Sequence, residues 1–378
     1  MKKHLIYLLL LIFIGFSSGC KSEKQKIKEQ NEIVEKTIGL FEKKLLKQQI
    51  DSVFTKYNFN GVVAVYRDSV PVYLKSNGYA SFKEKTKLDS LTVFGIASNS
   101  KQFTAVMILR LMEDGKLKTG DKVSQYLDEF KRPDYENITI QQLLNHTSGL
   151  NNLGGKLMFE SGSDFHYSNE GFNALGRIIE KISGKPYEEN AAELFKLAGM
   201  QHTFTNKDFQ SKNFGGAWVG KLTSPEEVAN MPDRLAEKGI GNPAGGILST
   251  VGDLNIWNQK LFGGKILKPE TLAVMTKKTA TRTKHFFAEV GYGDGIMMYG
   301  DAPLAYFHTG YVKGLPSVNI YYPSTRTSVI VLSNFADESN NKKVIFAPHA
   351  DIRLITDGVE STVAEMRKEL IIDPEKKK

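Results

Sequence analysis

One cysteine, Cys20, stands among the 378 residues, so no intramolecular disulfide framework is possible. The seven histidines show no HxH or HExxH spacing, so neither a metal site nor a cofactor is expected. Outside the apolar N-terminal leader there is no G-x-S-x-G elbow, which argues against an α/β-hydrolase nucleophile. The formal charge of +8 is spread along the chain, apart from the closing Lys376-Lys377-Lys378. With no basic stripe interleaved with aromatics, nucleic acid is not an expected partner. The apolar run from Leu5 to Phe16 is too short to cross a bilayer, which takes about 20 residues. There is no internal repeat.

What is present begins at that leader. Lys2 and Lys3 precede the run, and Ser17-Ser18-Gly19 leads from it into Cys20. This is the layout of a signal peptide, and the small residues before Cys20 resemble the lipobox of bacterial lipoproteins. The resemblance implies acylation of Cys20, export, and a lipid anchor in a bacterial envelope membrane. Residues 1–19 are therefore read as leader and 20–47 as a charged helical tether, with Val34, Ile38, Phe41 and Leu45 as its apolar stripe. Residues 48–356 are read as the folded domain and 357–378 as a charged tail.

Within the domain, Gly61 to Tyr66 and Val70 to Leu74 flank an Arg67-Asp68-Ser69 turn and predict an antiparallel hairpin. The run Phe103 to Met112 is apolar on nearly every face, which predicts a buried helix. Thr139 with Gln142 forms a capping box opening a helix over Ile140 to Asn145. Phe172, Leu175, Ile179 and Ile182 mark another helix, closed by Gly184 and Pro186. Strands return at Ser317 to Tyr322 and Thr327 to Leu332, before a last helix from about Val344 to Ile355. Strands at both ends with helices between predict an α+β fold. Its antiparallel sheet is flanked by helices and carries an inserted helical lobe.

Three short motifs carry chemistry. Ser98-Asn99-Ser100-Lys101 runs into the buried helix, so Ser98 and Lys101 fall on one face of its first turn. A serine hydroxyl needs a base beside it, and a buried lysine with a lowered pKa can be that base. Tyr167-Ser168-Asn169 opens the helix of Phe172, and residues two apart in an extended lead-in point to one side. His308-Thr309-Gly310 precedes Tyr311 and the C-terminal strands. There, a glycine permits close backbone approach. Each motif alone is expected about once by chance; the three in this order are not.

Order and context resemble the serine β-lactamase and penicillin-binding superfamily, and within it the class C branch. Ile140–Leu150, Leu194–Met200, Pro243–Leu254 and Tyr292–Ile296 are similar to further signatures of that family. The resemblance implies a serine hydrolase working through an acyl-enzyme on amides or esters: cell-wall D-amino-acid peptides, β-lactams or small esters. It implies Ser98 as nucleophile, Lys101 and Tyr167 as proton carriers, and Asn169 as their hydrogen-bond partner. The backbone amides of Ser98 and Tyr311 would form the oxyanion hole. His308, Thr309, Gly310 and Tyr311 would contact substrate, with His308 where many relatives carry a carboxylate-pairing lysine. The alternative reading is a sensor that acylates without turnover. His146 reads as structural, His166 as pointing away from the site, and Asn213 to Gly241 as a loop bordering the cleft.

Overall fold

A computed structural model describes residues 22–373, with Lys238 left out. Cys20, the leader and the closing lysines lie outside the described residues. The described residues form two compact units: 22–42 together with 362–373, and a body from Lys43 to Ser361. Among the described residues no helix is long and apolar enough to cross a membrane.

The expected tether and the start of the domain form one helix, α1 (Glu23–Tyr57), with no break at 47. Its buried row runs through Ile38, Glu42, Leu46 and Ile50, leaving Phe41 41% exposed. Steps of four hold to one row here, so the expected place of Phe41 and Leu45 falls to Glu42 and Leu46. At the other end, α7 (Ala347–Leu370) continues well beyond Ile355, through residues expected as tail. In the terminal unit, Asn31 exchanges two hydrogen bonds with the backbone of Ile372, at 2.8 and 2.9 Å.

The body is built on eight antiparallel strands: β1 (Gly61–Arg67), β2 (Val70–Asn77), β3 (Ala280–Arg282), β4 (Val290–Tyr292), β5 (Met297–Tyr299), β6 (Ala305–Val312), β7 (Leu315–Tyr322) and β8 (Thr327–Ser333). Their order across the sheet is β3-β4-β5-β6-β7-β8-β1-β2. The ends of the domain thus meet at the β8–β1 pairing, Gly61 opposite Ser333 and Arg67 opposite Thr327. The α+β expectation of a sheet closed by both ends of the domain holds. Every residue of β7 and β8 is buried, because both sheet faces are covered. Consecutive Tyr321 and Tyr322 show the alternation: Tyr321 stacks on Phe262, and Tyr322 donates to Asp357 of α7.

Between β2 and β3 lies the helical lobe, with α2 (Lys101–Glu113), α3 (Ile140–Leu144), α4 (Asn169–Ser183), α5 (Tyr187–Ala198) and α6 (Val251–Phe262). Helix α2 is buried from Lys101 to Leu109. Phe103 packs on Trp257 of α6 and on Phe195 of α5, at centroid distances of 4.2 and 5.4 Å. Each such aromatic or aliphatic side chain contributes about 1.5–3 kcal/mol by leaving water. The capping box of Thr139 and Gln142 is formed, and α4 ends at Gly184 in the left-handed region that a glycine enters freely. The β3–β4–β5 strands had no clear period in the sequence, since each is only three residues long.

Candidate active site

Ser98 sits in a 3-10 turn, Ala97–Ser100, that runs straight into α2. Neighbouring side chains hold that turn. Ser100 Oγ donates to Ala97 O (2.6 Å) and accepts from Ile247 N (3.1 Å). Asn99 Nδ2 donates to Ser317 Oγ (2.9 Å), which itself donates to Ile96 O (2.9 Å). Ala97 is forced to φ 48°, a left-handed conformation that costs a non-glycine residue about 1 kcal/mol or more. Ser98 is the partly exposed hydroxyl of this turn, and Ser100 is buried. The turn therefore fixes which of the two serines meets solvent.

Lys101 is wholly buried, with Nζ 3.2 Å from Ser98 Oγ, 2.9 Å from Asn169 Oδ1 and 2.8 Å from Ala244 O. The Asn169 orientation is set by its Nδ2, which donates to Gly239 O at 3.2 Å. Two of the three Lys101 partners are carbonyl oxygens, which can only accept. A neutral amine has two hydrogens for them and one lone pair left for the Ser98 hydroxyl. Burial, reinforced by the charge of Arg282, pushes the Lys101 pKa well below its ordinary value. The geometry accommodates a neutral amine, and burial beside Arg282 favours it.

The Tyr167 hydroxyl interacts with Ser98, and its ring centre lies 4.8 Å from Lys101 Nζ. Burial raises its pKa to about 12, so it stays a phenol at neutral pH. Ser168 caps α4 by accepting from Gly171 N at 2.9 Å, which places Tyr167 and Asn169 on either side of the cap.

His308 lies on β6 with no exposed surface. Its Nδ1 faces Thr309 O at 2.8 Å and must carry the hydrogen; its Nε2 therefore accepts from the Tyr292 hydroxyl at 3.1 Å. The same hydroxyl accepts from His146 Nε2 at 3.1 Å, while His146 Nδ1 accepts from Ser168 N at 3.1 Å. Two backbone groups thus fix every proton in the row Ser168–His146–Tyr292–His308. Both rings are neutral, and burial holds both pKa values well below the usual histidine range. The third motif accordingly differs in detail from expectation. His308 offers no free polar atom. Thr309 Oγ1 is 3.2 Å from His285 Nε2, and the Tyr311 hydroxyl donates to Glu338. Gly310 is where closeness is essential: a Cβ there would lie 2.2 Å from Ile96 O. The motif lies inside β6, not ahead of it.

The expected Ser98, Lys101, Tyr167 and Asn169 thus converge, with Gly310 packing β6 against their turn. His146 fills the structural role expected, and His166 contacts Asn151 instead of the site. Ala244, Arg282 and Tyr292 were not singled out as site residues; of these, Tyr292 and Ala244 fell inside stretches already noted. Residues 40–348 match the family described as Beta-lactamase.

The chain belongs to the Beta-lactamase family.

Relatives in the same family include PbpX of Bacillus subtilis (strain 168), named as a penicillin-binding protein. It is 28% identical over 341 residues, spanning 86% of this chain and 81% of that one. Protein flp of Staphylococcus aureus (strain NCTC 8325 / PS 47) is 27% identical over 353 residues, spanning 85% of this chain and 69% of flp. Among solved structures, a penicillin binding protein from Bacillus halodurans superposes with a TM-score of 0.69 at 23% identity, covering 81% of this chain and 98% of that one. EstCE1, a hydrolase with promiscuous acyltransferase activity, superposes at 0.71 with 21% identity, covering 84% and 99%. The D-amino acid amidase from Ochrobactrum anthropi SV3 superposes at 0.70 with 20% identity, covering 83% and 99%. The Beta-lactamase-family fold is therefore shared among proteins named for different reactions.

Proposed function

We propose that the protein is an acyl-transfer hydrolase that cleaves amides or esters through a covalent adduct on Ser98. The observation that carries the reading is the arrangement at Lys101: a buried amine, two hydrogens committed to carbonyls, and Ser98 Oγ at 3.2 Å. Lys101 takes the Ser98 proton as Oγ bonds to the substrate carbonyl carbon. The Tyr167 phenol donates to the departing nitrogen or oxygen and recovers its proton from the Lys101 ammonium. Water then attacks the acyl carbon, giving a proton back along the same groups and freeing Oγ. The Ser98 and Tyr311 backbone amides would hold the developing oxyanion, and the close seating of Gly310 on the turn supports that pairing. The relatives' names favour substrates from the penicillin, D-amino-acid amide and ester classes.

The test is intact-protein mass spectrometry after incubation with a penicillin, a fluorophosphonate and a D-Ala-D-Ala peptide ester, wild type beside Ser98→Ala. The expected result is an acyl mass on the wild type alone, with multiple turnover of at least one reagent. Stoichiometric labelling without turnover would replace the hydrolase reading with a sensor that is acylated and stays so. No adduct with any of the three would overturn both. Export and anchoring through Cys20 belong to the same proposal, supported by the leader sequence. Incorporation of radiolabelled palmitate, lost in Cys20→Ala, is the expected outcome.

A further inference from the structure

We infer that Arg282, and not His308, supplies the positive charge that selects substrates with a carboxylate beside the scissile bond. The inference rests on the Ser98 reading above. His308 cannot do this work: both ring nitrogens are committed, to Thr309 O and to the Tyr292 hydroxyl, and the neutral tautomer they fix leaves no cation and no donor for a ligand.

Arg282 ends β3, half-buried, with its guanidinium carbon 4.5 Å from the centre of the Tyr167 ring. Its Nη1 donates only to Met297 Sδ, at 3.9 Å, a weak acceptor. Among the described residues no carboxylate pairs with it. A guanidinium stays charged at any working pH and presents five donors in a planar fork. Here that fork borders the site with its charge unneutralised. The charge is felt at Lys101, Tyr167, Tyr292, His146, His285 and His308.

The hairpin that carries Arg282 is also tied to β6. His285 Nδ1 accepts from Phe287 N at 3.2 Å, so Nε2 holds the hydrogen and donates to Thr309 Oγ1 at 3.2 Å. That bond pins the β3–β4 connection to the residue beside His308. Pairing of Arg282 with Val290 in the same hairpin sets it beside the Tyr167 phenol, which would protonate the leaving group. A carboxylate on that leaving group would meet a cation from β3, not from the third motif. Arg282 is a specificity-determining residue, and the favoured substrates end in a free acid.

The test uses two aryl esters of one N-acyl-D-alanine, with 3-carboxyphenol or its neutral isostere 3-carbamoylphenol as leaving group. Phenol release gives kcat/KM for each, and the readout is their ratio, in which any general effect on Tyr167 cancels. Wild type is expected to prefer the acid, with the preference weakening as salt is added. Arg282→Gln is expected to lower the ratio roughly 10- to 100-fold, the size of a charge-assisted hydrogen bond, and Arg282→Lys to keep part of it. A ratio unchanged in Arg282→Gln, or a wild type that prefers the carboxamide, would overturn the inference while leaving Ser98 chemistry intact. A folded wild type acylated by neither ester would overturn this inference, and the Ser98 reading with it if the penicillin and the fluorophosphonate also leave no adduct.

Discussion

The Tyr292 hydroxyl stands 3.1 Å from His308 Nε2 and, on its other side, 3.1 Å from His146 Nε2, so one phenol hydrogen-bonds both buried histidines. Tyr292→Phe would leave His146 with an unpaired donor and His308 with an unpaired acceptor, each costing about 1–3 kcal/mol. Urea unfolding is expected to show a loss of that order. In wild type, nitrogen NMR is expected to find His308 protonated at Nδ1 only, with no titration from pH 5 to 8. Retention of both properties in Tyr292→Phe would show that the hydroxyl is not what holds the row.

The two serines of the first motif should separate cleanly. Ser98→Ala removes the partly exposed hydroxyl beside Lys101 and Tyr167 and is expected to abolish acylation while leaving the chain folded. Ser100→Ala removes the bonds to Ala97 O and Ile247 N. It is expected to cost about 1–3 kcal/mol while leaving measurable labelling of Ser98. Labelling that follows Ser100 instead would reverse the assignment.

Asn169 gives the Lys101 amine an uncharged carbonyl acceptor, while burial beside Arg282 lowers its pKa. In Asn169→Asp a carboxylate would replace that carbonyl and favour the ammonium, raising the Lys101 pKa. The acid limb of the acylation profile is expected to move to higher pH, with a loss of roughly 10²- to 10⁴-fold at pH 7. In wild type the plateau is expected to begin well below pH 10.5, the ordinary lysine value. An unshifted limb in the variant would remove Lys101 from the role of base.

Asp294 is a buried carboxyl whose Oδ1 accepts from Gln141 Nε2 and whose Oδ2 has no hydrogen-bond partner among the described residues. Burial raises its pKa to about 7, from an ordinary value of 3.8. The native state therefore holds a proton that the unfolded chain has lost, and this group makes stability fall as pH rises from about 4 to 7. Asp294→Asn is expected to be neutral near pH 4 and stabilising at pH 8, by up to about 4 kcal/mol. Equal gains by urea unfolding at both pH values would refute the ionisation argument.

Periodic and capped elements were legible because their signals are local. The hairpin at 61–74, the buried helix after Ser98, the Thr139 capping box and the Gly184 stop each depend on residues within a few positions of one another. The short β3, β4 and β5 strands were not, since three residues carry no usable period and their pairing partners define them. The unbroken run of α1 past residue 47 and of α7 past Ile355 was equally hidden, because a charged helix and a charged tail share one composition.

Within the site, Ser98, Lys101, Tyr167 and Asn169 could be named from the order of their motifs and the family resemblance that this order carries, since each motif is local. Three things were decided only by the folded chain. The Lys101 partners Asn169 and Ala244 come from segments 68 and 143 residues away, and they alone fix where its lone pair points. The neutrality of His308 is imposed by Tyr292 and by burial, so the letter H could not reveal it. The cation at the site arrives on β3 as Arg282, a residue in no motif. Sequence specifies side chains and their local neighbours. Desolvation and long-range hydrogen bonds, which set protonation and charge, exist only after the sheet and the helical lobe have closed on each other.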